Sequence, residues 1–406
     1  MKAYLVFASV LLVTVLSTAG IALPYPILAP LFMGEQLNEL NQFMGITPEL
    51  LLGFSLAIYP LGIFLGGSFI GALSDSYGRK KLLVYTLFIS VIGYFITAYA
   101  IMSQQYLLFI FARFLTGVCE GNLSIARAIA LDLGHKIDKT RAMSLIAAAS
   151  FLGWLVGPLA GGYLAQYGAE VAFQMAGIAV FLCMIFVIIV ITETHDVTQS
   201  QSFLVLLKSN NSLVLLKQPI ILNIFIFQFI FCLGLNAFYE FYPVWLVVER
   251  NYESSMIGET TAIMTLSMML ASVLLVTKLK RFFGLLPTIV VTLILSALFM
   301  GILPLFSGTM MILFFALTGI MIAIYNGLLP VYMSDINKHV GNGALMGLLT
   351  VTFCIANAVI AIFGSLMLVL SVALPLYLGA ALIALSSLLV IKFAYQKNVE
   401  TIKQEC

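Results

Sequence analysis

Twelve apolar runs, each long enough to cross the hydrocarbon core of a bilayer as one helix of about 20 residues, set the terms on which this chain can fold. They lie near residues 4–33, 50–72, 82–102, 105–131, 142–166, 170–192, 219–247, 256–277, 285–306, 309–333, 343–369 and 372–395. Only 9% of the 406 residues are charged, against about a quarter in a soluble protein, so lipid is the main solvent. The chain is read as an all-α polytopic membrane protein. Connections as short as Met102 to Tyr106 and Ser307 to Met310 make their flanking helices antiparallel neighbours. The first run follows Lys2 and continues to Leu31, too long for the apolar core of a cleaved signal, and so counts as a spanning helix.

Basic residues orient the spans. All lysines and arginines except Arg113, Arg127 and Arg250 fall at the termini or in the even-numbered loops, which the positive-inside rule assigns to the cytoplasm. Both termini are therefore expected there. The longest polar interval, 193–218, sits at the midpoint and reads as a cytoplasmic linker between a six-helix bundle at 1–192 and another at 219–395, with 396–406 as a cytoplasmic tail. An internal echo supports two pseudo-symmetric halves: Leu115-Thr116-Gly117 in span four recurs as Leu317-Thr318-Gly319 in span ten, and Asp132 and Asp335 close those two helices.

Span four carries the strongest functional signal. Arg113, Glu120 and Arg127 are spaced seven residues apart, which on a continuous helix aligns them in one stripe that drifts only about 20° per step. A charge at the bilayer centre costs roughly 2.5–3.5 kcal/mol, so such a stripe must face protein or a watery cavity. Glu120 is the leading carboxylate for proton coupling, with Arg113 seven residues before it; the competing reading is an ion pair with Arg113 or Arg127, each about 10 Å away along the axis. Arg127 is also within reach of Asp132. Glu240, in Tyr239-Glu240-Phe241-Tyr242-Pro243 of span seven, is the second proton-coupling candidate or else a residue reaching the outer interface. Two arginines suit an anionic substrate, because guanidinium forks match carboxylates. Tyr25, Tyr59, Asn122, Asn236, Tyr239, Tyr325, Asn326 and Asn357 can complete a substrate cavity, although each alone is as readily a packing residue.

The loop after span two reads Gly71-Ala-Leu-Ser-Asp75-Ser-Tyr77-Gly78-Arg79-Lys80-Lys81. Its glycines permit a tight turn, and Asp75 can cap a helix N-terminus. Here the chain resembles the major facilitator superfamily, whose G-x-x-x-D-x-x-G-R-K loop is matched by Gly71, Asp75, Gly78, Arg79 and Lys80. The resemblance implies that these residues gate the transporter rather than bind substrate. The second-half counterpart, Lys278-Leu-Lys280-Arg281-Phe-Phe-Gly284, keeps the bases and loses the aspartate.

Span five contains Gly153, Gly157 and Gly161 at i, i+4, i+8, a groove of small residues that admits a close neighbour, with Pro158 permitting a bend. The order Gly153, Gly157-Pro158, Gly161-Gly162 is similar to the motif of the superfamily's twelve-span drug/proton antiporters, the group that includes tetracycline and multidrug exporters. Arg113 in Ala112-Arg113-Phe-Leu-Thr-Gly117 resembles the basic residue that this group uses in proton transfer. Span one, Gly20-Ile-Ala-Leu-Pro24-Tyr-Pro26, also resembles the tetracycline exporters, but Ser17 stands where they carry an acidic residue.

These features together favour proton-coupled export of a small amphipathic or anionic organic molecule by alternating access, with protons and the lipid bilayer as the other partners. A symporter importing an organic anion or metal-chelating carboxylate is the nearest rival, and a transport-inactive scaffold or receptor the third reading. No nucleotide loop, metal-ligand cluster or catalytic serine, histidine and acid set is present in the sequence, so no enzyme activity, cofactor, metal or nucleic-acid partner is expected. The five cysteines are scattered singly, the first four in apolar runs. The resemblance implies a monomer in a bacterial inner membrane.

Overall fold

The structure, a computed structural model, describes residues 2–34, 38–120, 122–133, 139–192, 216–336 and 342–405. Its helices are α1 (Lys2–Ala22), α2 (Tyr25–Met33), α3 (Pro48–Tyr77), α4 (Arg79–Met102), α5 (Tyr106–Cys119), α6 (Asn122–Asp132), α7 (Lys139–Leu164) and α8 (Ala169–Val190) in the first half. The second half holds α9 (Pro219–Arg250), α10 (Ser254–Leu274), α11 (Val276–Phe283), α12 (Leu285–Ile302), α13 (Gly308–Ile336), α14 (Asn342–Leu368) and α15 (Leu374–Glu405). Twelve helical stretches among the described residues are long and apolar enough to span a bilayer. The expected linker lies outside the described residues except for 216–218.

Three departures from twelve plain rods have local causes. The first span bends at Leu23-Pro24, where proline removes a backbone donor, and resumes as α2. The fourth stops at Glu120, whose N–H turns back to the carbonyl of Gly117 at 3.1 Å, and resumes as α6. The basic loop after the eighth span is itself helical: α11 has no buried residue and carries Lys280 and Arg281 in its last turn beside exposed Phe282 and Phe283. A short amphipathic basic helix of this kind suits a membrane–water interface.

The chain divides into two compact units, Met1–Asn211 with Leu246–Ala262, and Ser212–Trp245 with Ile263–Cys406. In the first, α1 packs on α7, α3 on α5, and α4 on α8; in the second, α12 packs on α13 and α15. The internal echo extends into packing. Gly117 of the fourth span abuts the carbonyl of Tyr59 in the second, and Gly319 of the tenth abuts the carbonyl of Met264 in the eighth, while Thr116 and Thr318 beside them are fully buried. Small residues at these points let two backbones touch, which is how helices gain contact in lipid without a hydrophobic driving force.

Candidate functional site

Within the first unit, the closest helix approach sets up the polar centre. A side-chain carbon at Gly62 would lie 2.6 Å from the carbonyl of Phe114, and one at Gly66 would overlap the carbonyl of Val118, so α3 and α5 run backbone against backbone. That contact holds Tyr59 under Arg113. The guanidinium carbon sits 4.1 Å from the centroid of the Tyr59 ring and 5.8 Å from that of Phe173 on α8, two cation–π contacts with both rings buried.

Glu120 reaches the same centre from the break between α5 and α6. Arg113 and Glu120 are only 3% and 7% exposed. The carboxylate lies within hydrogen-bonding reach of the Tyr59 and Ser17 hydroxyls, and Arg113 and Tyr94 are close enough to feel its charge. Gly20 leaves room for the Tyr94 hydroxyl, since any side-chain carbon there would overlap it. Despite this crowding, Arg113 Nε and Nη1, Glu120 Oε2 and the hydroxyls of Tyr59 and Tyr94 make no hydrogen bond, and neither does Asn122 Oδ1 at the start of α6. Buried polar atoms in native proteins nearly always find a partner, so this concentration of unmet ones sets the centre apart from ordinary packing.

Two expectations about span four are corrected. The three charges do not form one continuous stripe: the helix ends at Glu120, and Arg127 on α6 is exposed whereas Arg113 and Glu120 are buried. Nor does Arg127 take Asp132. Arg79 does, with Nη1 3.0 Å from the carboxylate, because the turn at Gly78 brings α4 to the end of α6. Gly78 adopts φ 97°, a conformation costly for any residue with a side chain. Lys80 donates to the carbonyl of Ile188 at 2.8 Å, near the C-terminus of α8, where the helix dipole favours a cation. Gly71 and Asp75 fall in α3 at positions whose side chains lie outside the described residues.

The Arg79–Asp132 pair is partly buried, at 10% and 22% exposure, which places it between a surface pair of little worth and an expensive buried one. Arg79→Ala is expected to lower thermal stability by about 1–3 kcal/mol, and the charge exchange Arg79→Asp with Asp132→Arg to recover most of it. Melting of the purified variants in detergent measures both, and no recovery in the exchanged pair would refute a direct interaction.

The glycines of span five serve two neighbours. Gly153 and Gly157 face the backbone of α1, a side-chain carbon at Gly157 lying 3.0 Å from the Cα of Ala19, and Gly161 abuts the carbonyl of Leu23 just beyond it. On the other edge, the carbonyl of Pro158 abuts Gly258, and Gly162 abuts Ser254 and Ser255 on α10. Tyr163, next in line, donates a hydrogen bond to Glu259 Oε1. Tyr25 lies 5.9 Å from Trp154 by ring centroids.

The second unit holds a separate polar ladder on one face of α9. Gln228, Asn236 and Glu240 are buried at multiples of four residues. Tyr325 on α13 donates to Gln228 Oε1 at 2.6 Å, and Asn357 on α14 donates to Glu240 Oε1 at 2.6 Å and Asn236 Oδ1 at 3.0 Å. Glu240 is therefore a buried, hydrogen-bonded residue and does not extend to an outer surface. Tyr239 contacts Met268 instead, with its hydroxyl 3.7 Å from the sulfur, and Asn326 is exposed and stands apart from the ladder. Sequence reasoning passed over Tyr94 and Gln228. The only trace of them is spacing: Gln228 precedes Asn236 and Glu240 by eight and twelve residues, whereas Tyr94 is one of 17 tyrosines with no local mark.

The chain matches the profile of the Major Facilitator Superfamily over residues 10–336. It is 23% identical over 327 residues to Multidrug resistance protein 2 of Bacillus subtilis, covering 80% of this chain and 78% of that protein. It is 27% identical over 186 residues to the class H tetracycline resistance protein of Pasteurella multocida, covering 46% of this chain and 44% of that one. Among solved structures, a D-xylose–proton symporter superposes with TM-score 0.75 at 17% identity, over 97% of this chain and 98% of that one. The human organic anion transporter MFSD10 superposes with TM-score 0.69 at 19% identity, over 96% and 99%. With twelve spanning helices, paired packing in its two halves and a profile match across most of its length, the chain belongs to the Major Facilitator Superfamily and is a membrane transporter, not an enzyme.

Proposed function

We propose that this transporter exports a small amphipathic or anionic organic molecule in exchange for protons, by alternating access. The observation that carries the reading is the buried centre of Arg113, Tyr59, Tyr94 and Glu120, with a carboxylate, a guanidinium and two phenols whose polar atoms are unmet. A carboxyl group that alternates between an apolar enclosure and a nearby guanidinium changes its proton occupancy, and that alternation is what coupling to a proton gradient requires. Arg113 stays charged and supplies the field; Glu120 takes and releases the proton. The efflux proteins among the relatives support the outward direction. Arg127, exposed on α6, supports an anionic group on the substrate, with Asn122 and Tyr25 near the same helix breaks. The reading includes a monomer in a bacterial inner membrane, both termini in the cytoplasm, and two pseudo-equivalent halves at 1–192 and 219–395.

Import of an organic anion by symport remains the second reading, because a guanidinium exposed on a membrane-spanning helix serves uptake as well as export. Inverted vesicles with an acidic lumen, supplied with tetracycline, ethidium or citrate in turn, decide between them. Antiport predicts release of luminal protons on addition of the transported probe. Accumulation only in right-side-out vesicles, driven by an inward proton gradient, would replace export with import.

A further inference from the structure

The two halves treat the same basic loop differently. In the first, Arg79 is held by Asp132 and Lys80 by the carbonyl of Ile188, so both bases are tied to protein. In the second, the counterpart forms α11, and among the described residues Lys278, Lys280 and Arg281 make neither a hydrogen bond nor an ion pair. No aspartate or glutamate occurs between Glu259 and Asp335. Asp335, the counterpart of Asp132, is exposed and joins no ion pair among the described residues. At about 100° per residue the three bases fall along one side of α11, with Val276, Leu279 and Phe283 along the other and Phe282 at the border. The apolar side is seated. Val276 occupies the notch at Gly327 on α13, where a side-chain carbon would lie 3.1 Å from it, and Thr288 on α12 donates to the carbonyl of Leu279 at 3.4 Å. Phe282 and Phe283, at 78% and 67% exposure, project beyond that seat.

We infer that α11 is a docking surface for anionic phospholipid, with phosphate headgroups on Lys278, Lys280 and Arg281 and the two phenylalanine rings set against the acyl chains. Only residues 275–284 separate the bilayer-spanning segments Ser254–Leu274 and Leu285–Leu305, so the helix is confined to the boundary between lipid and water. Lysine and arginine stems lie along apolar surface while their charged ends reach the headgroups, and the Arg281 guanidinium can grip a phosphate through two parallel hydrogen bonds. A zwitterionic headgroup carries no net charge, whereas an anionic one complements three bases that the protein leaves unpaired, and such attractions add along a cluster. The exposed rings at the helix end favour a lipid over a soluble acidic partner, which would leave them in water. Occupancy of this face depends on neither the substrate nor the direction of transport.

Full-length protein carrying Phe282→Trp, in vesicles of equal parts phosphatidylglycerol and phosphatidylcholine, tests this with bromine on the acyl chains of one lipid at a time, because bromine quenches a nearby indole. The signal of Trp154 and Trp245 is subtracted with the unsubstituted protein. Brominated phosphatidylglycerol is expected to quench the introduced indole with an apparent association about fivefold or more above that of brominated phosphatidylcholine. Adding Lys278→Gln, Lys280→Gln and Arg281→Gln is expected to bring the two lipids level. Raising salt to about 1 M, which shortens the Debye length to about 3 Å, should remove most of the preference without any substitution and keeps the test decisive if the triple variant does not fold. Equal quenching by both lipids before the bases are removed, a preference that outlasts both the triple variant and the salt, or no quenching by either lipid would each overturn the assignment.

Discussion

Glu120→Gln is expected to lower proton-driven transport by on the order of 100-fold or more, the range found when a positioned proton-transfer group is removed, while the protein still reaches the membrane. Glutamine matches the shape of glutamate and keeps an oxygen within reach of the Ser17 and Tyr59 hydroxyls, so the packing around the break between α5 and α6 is kept. It cannot gain or lose a proton. Counterflow of a transported probe, which needs no net proton movement, is expected to persist in the same vesicles in which uphill transport is lost. Uphill transport at the unmodified rate would remove Glu120 from the coupling mechanism. Arg113→Ala is a harsher change, because it also withdraws the cation from Tyr59 and Phe173.

The second large effect is a contrast between adjacent residues. Gly66→Ala and Gly67→Ala add the same methyl group to the same helix, yet opposite outcomes are expected. At Gly66 the new carbon overlaps the carbonyl of Val118 and meets its Cα at 2.9 Å, both backbone atoms that cannot rotate away. At Gly67 nothing lies within 4 Å. Overpacking a tight contact costs about 1–3 kcal/mol, and alanine is the better helix former by about 1 kcal/mol. Gly66→Ala should therefore melt well below the unmodified protein and lose much of its transport, since α3 carries Tyr59 and α5 carries Arg113. Gly67→Ala should match or slightly exceed it. Equal melting temperatures for the two variants would mean that α3 and α5 are not in direct contact in the membrane.

The twelve spans were legible because a hydrocarbon solvent imposes one length and one composition on every crossing, and the structure has spanning helices where the apolar runs lie. That Arg113 and Glu120 would be enclosed by protein rather than lipid was legible for the same reason: full charges in such runs are expensive. What the chain did not disclose was the partner of each charge. A seven-residue spacing describes a stripe only while the helix continues, and α5 ends before Glu120, leaving Arg127 on the separate segment α6. Asp132 is five residues from Arg127 and 53 from Arg79, yet it pairs with the distant residue because the Gly78 turn brings α4 to it. Tyr94 and Ser17 join the site through helix packing alone. The Asn357–Glu240 bond links positions 117 residues apart, and neither residue's neighbours in sequence hint at the other.

The eleven residues of α6 start just beyond Glu120 and end at Asp132. At 1.5 Å per residue they make a strut of about 16 Å, with the buried carboxylate of Glu120 beside one tip and Asp132, paired with Arg79, at the other. A helix of three turns resists compression, so a displacement imposed at the inner tip arrives at the outer one nearly undiminished. If Glu120 carries the proton as proposed, its protonation and the turn at Gly78 sit at the two ends of one rigid rod, like the ends of a crank.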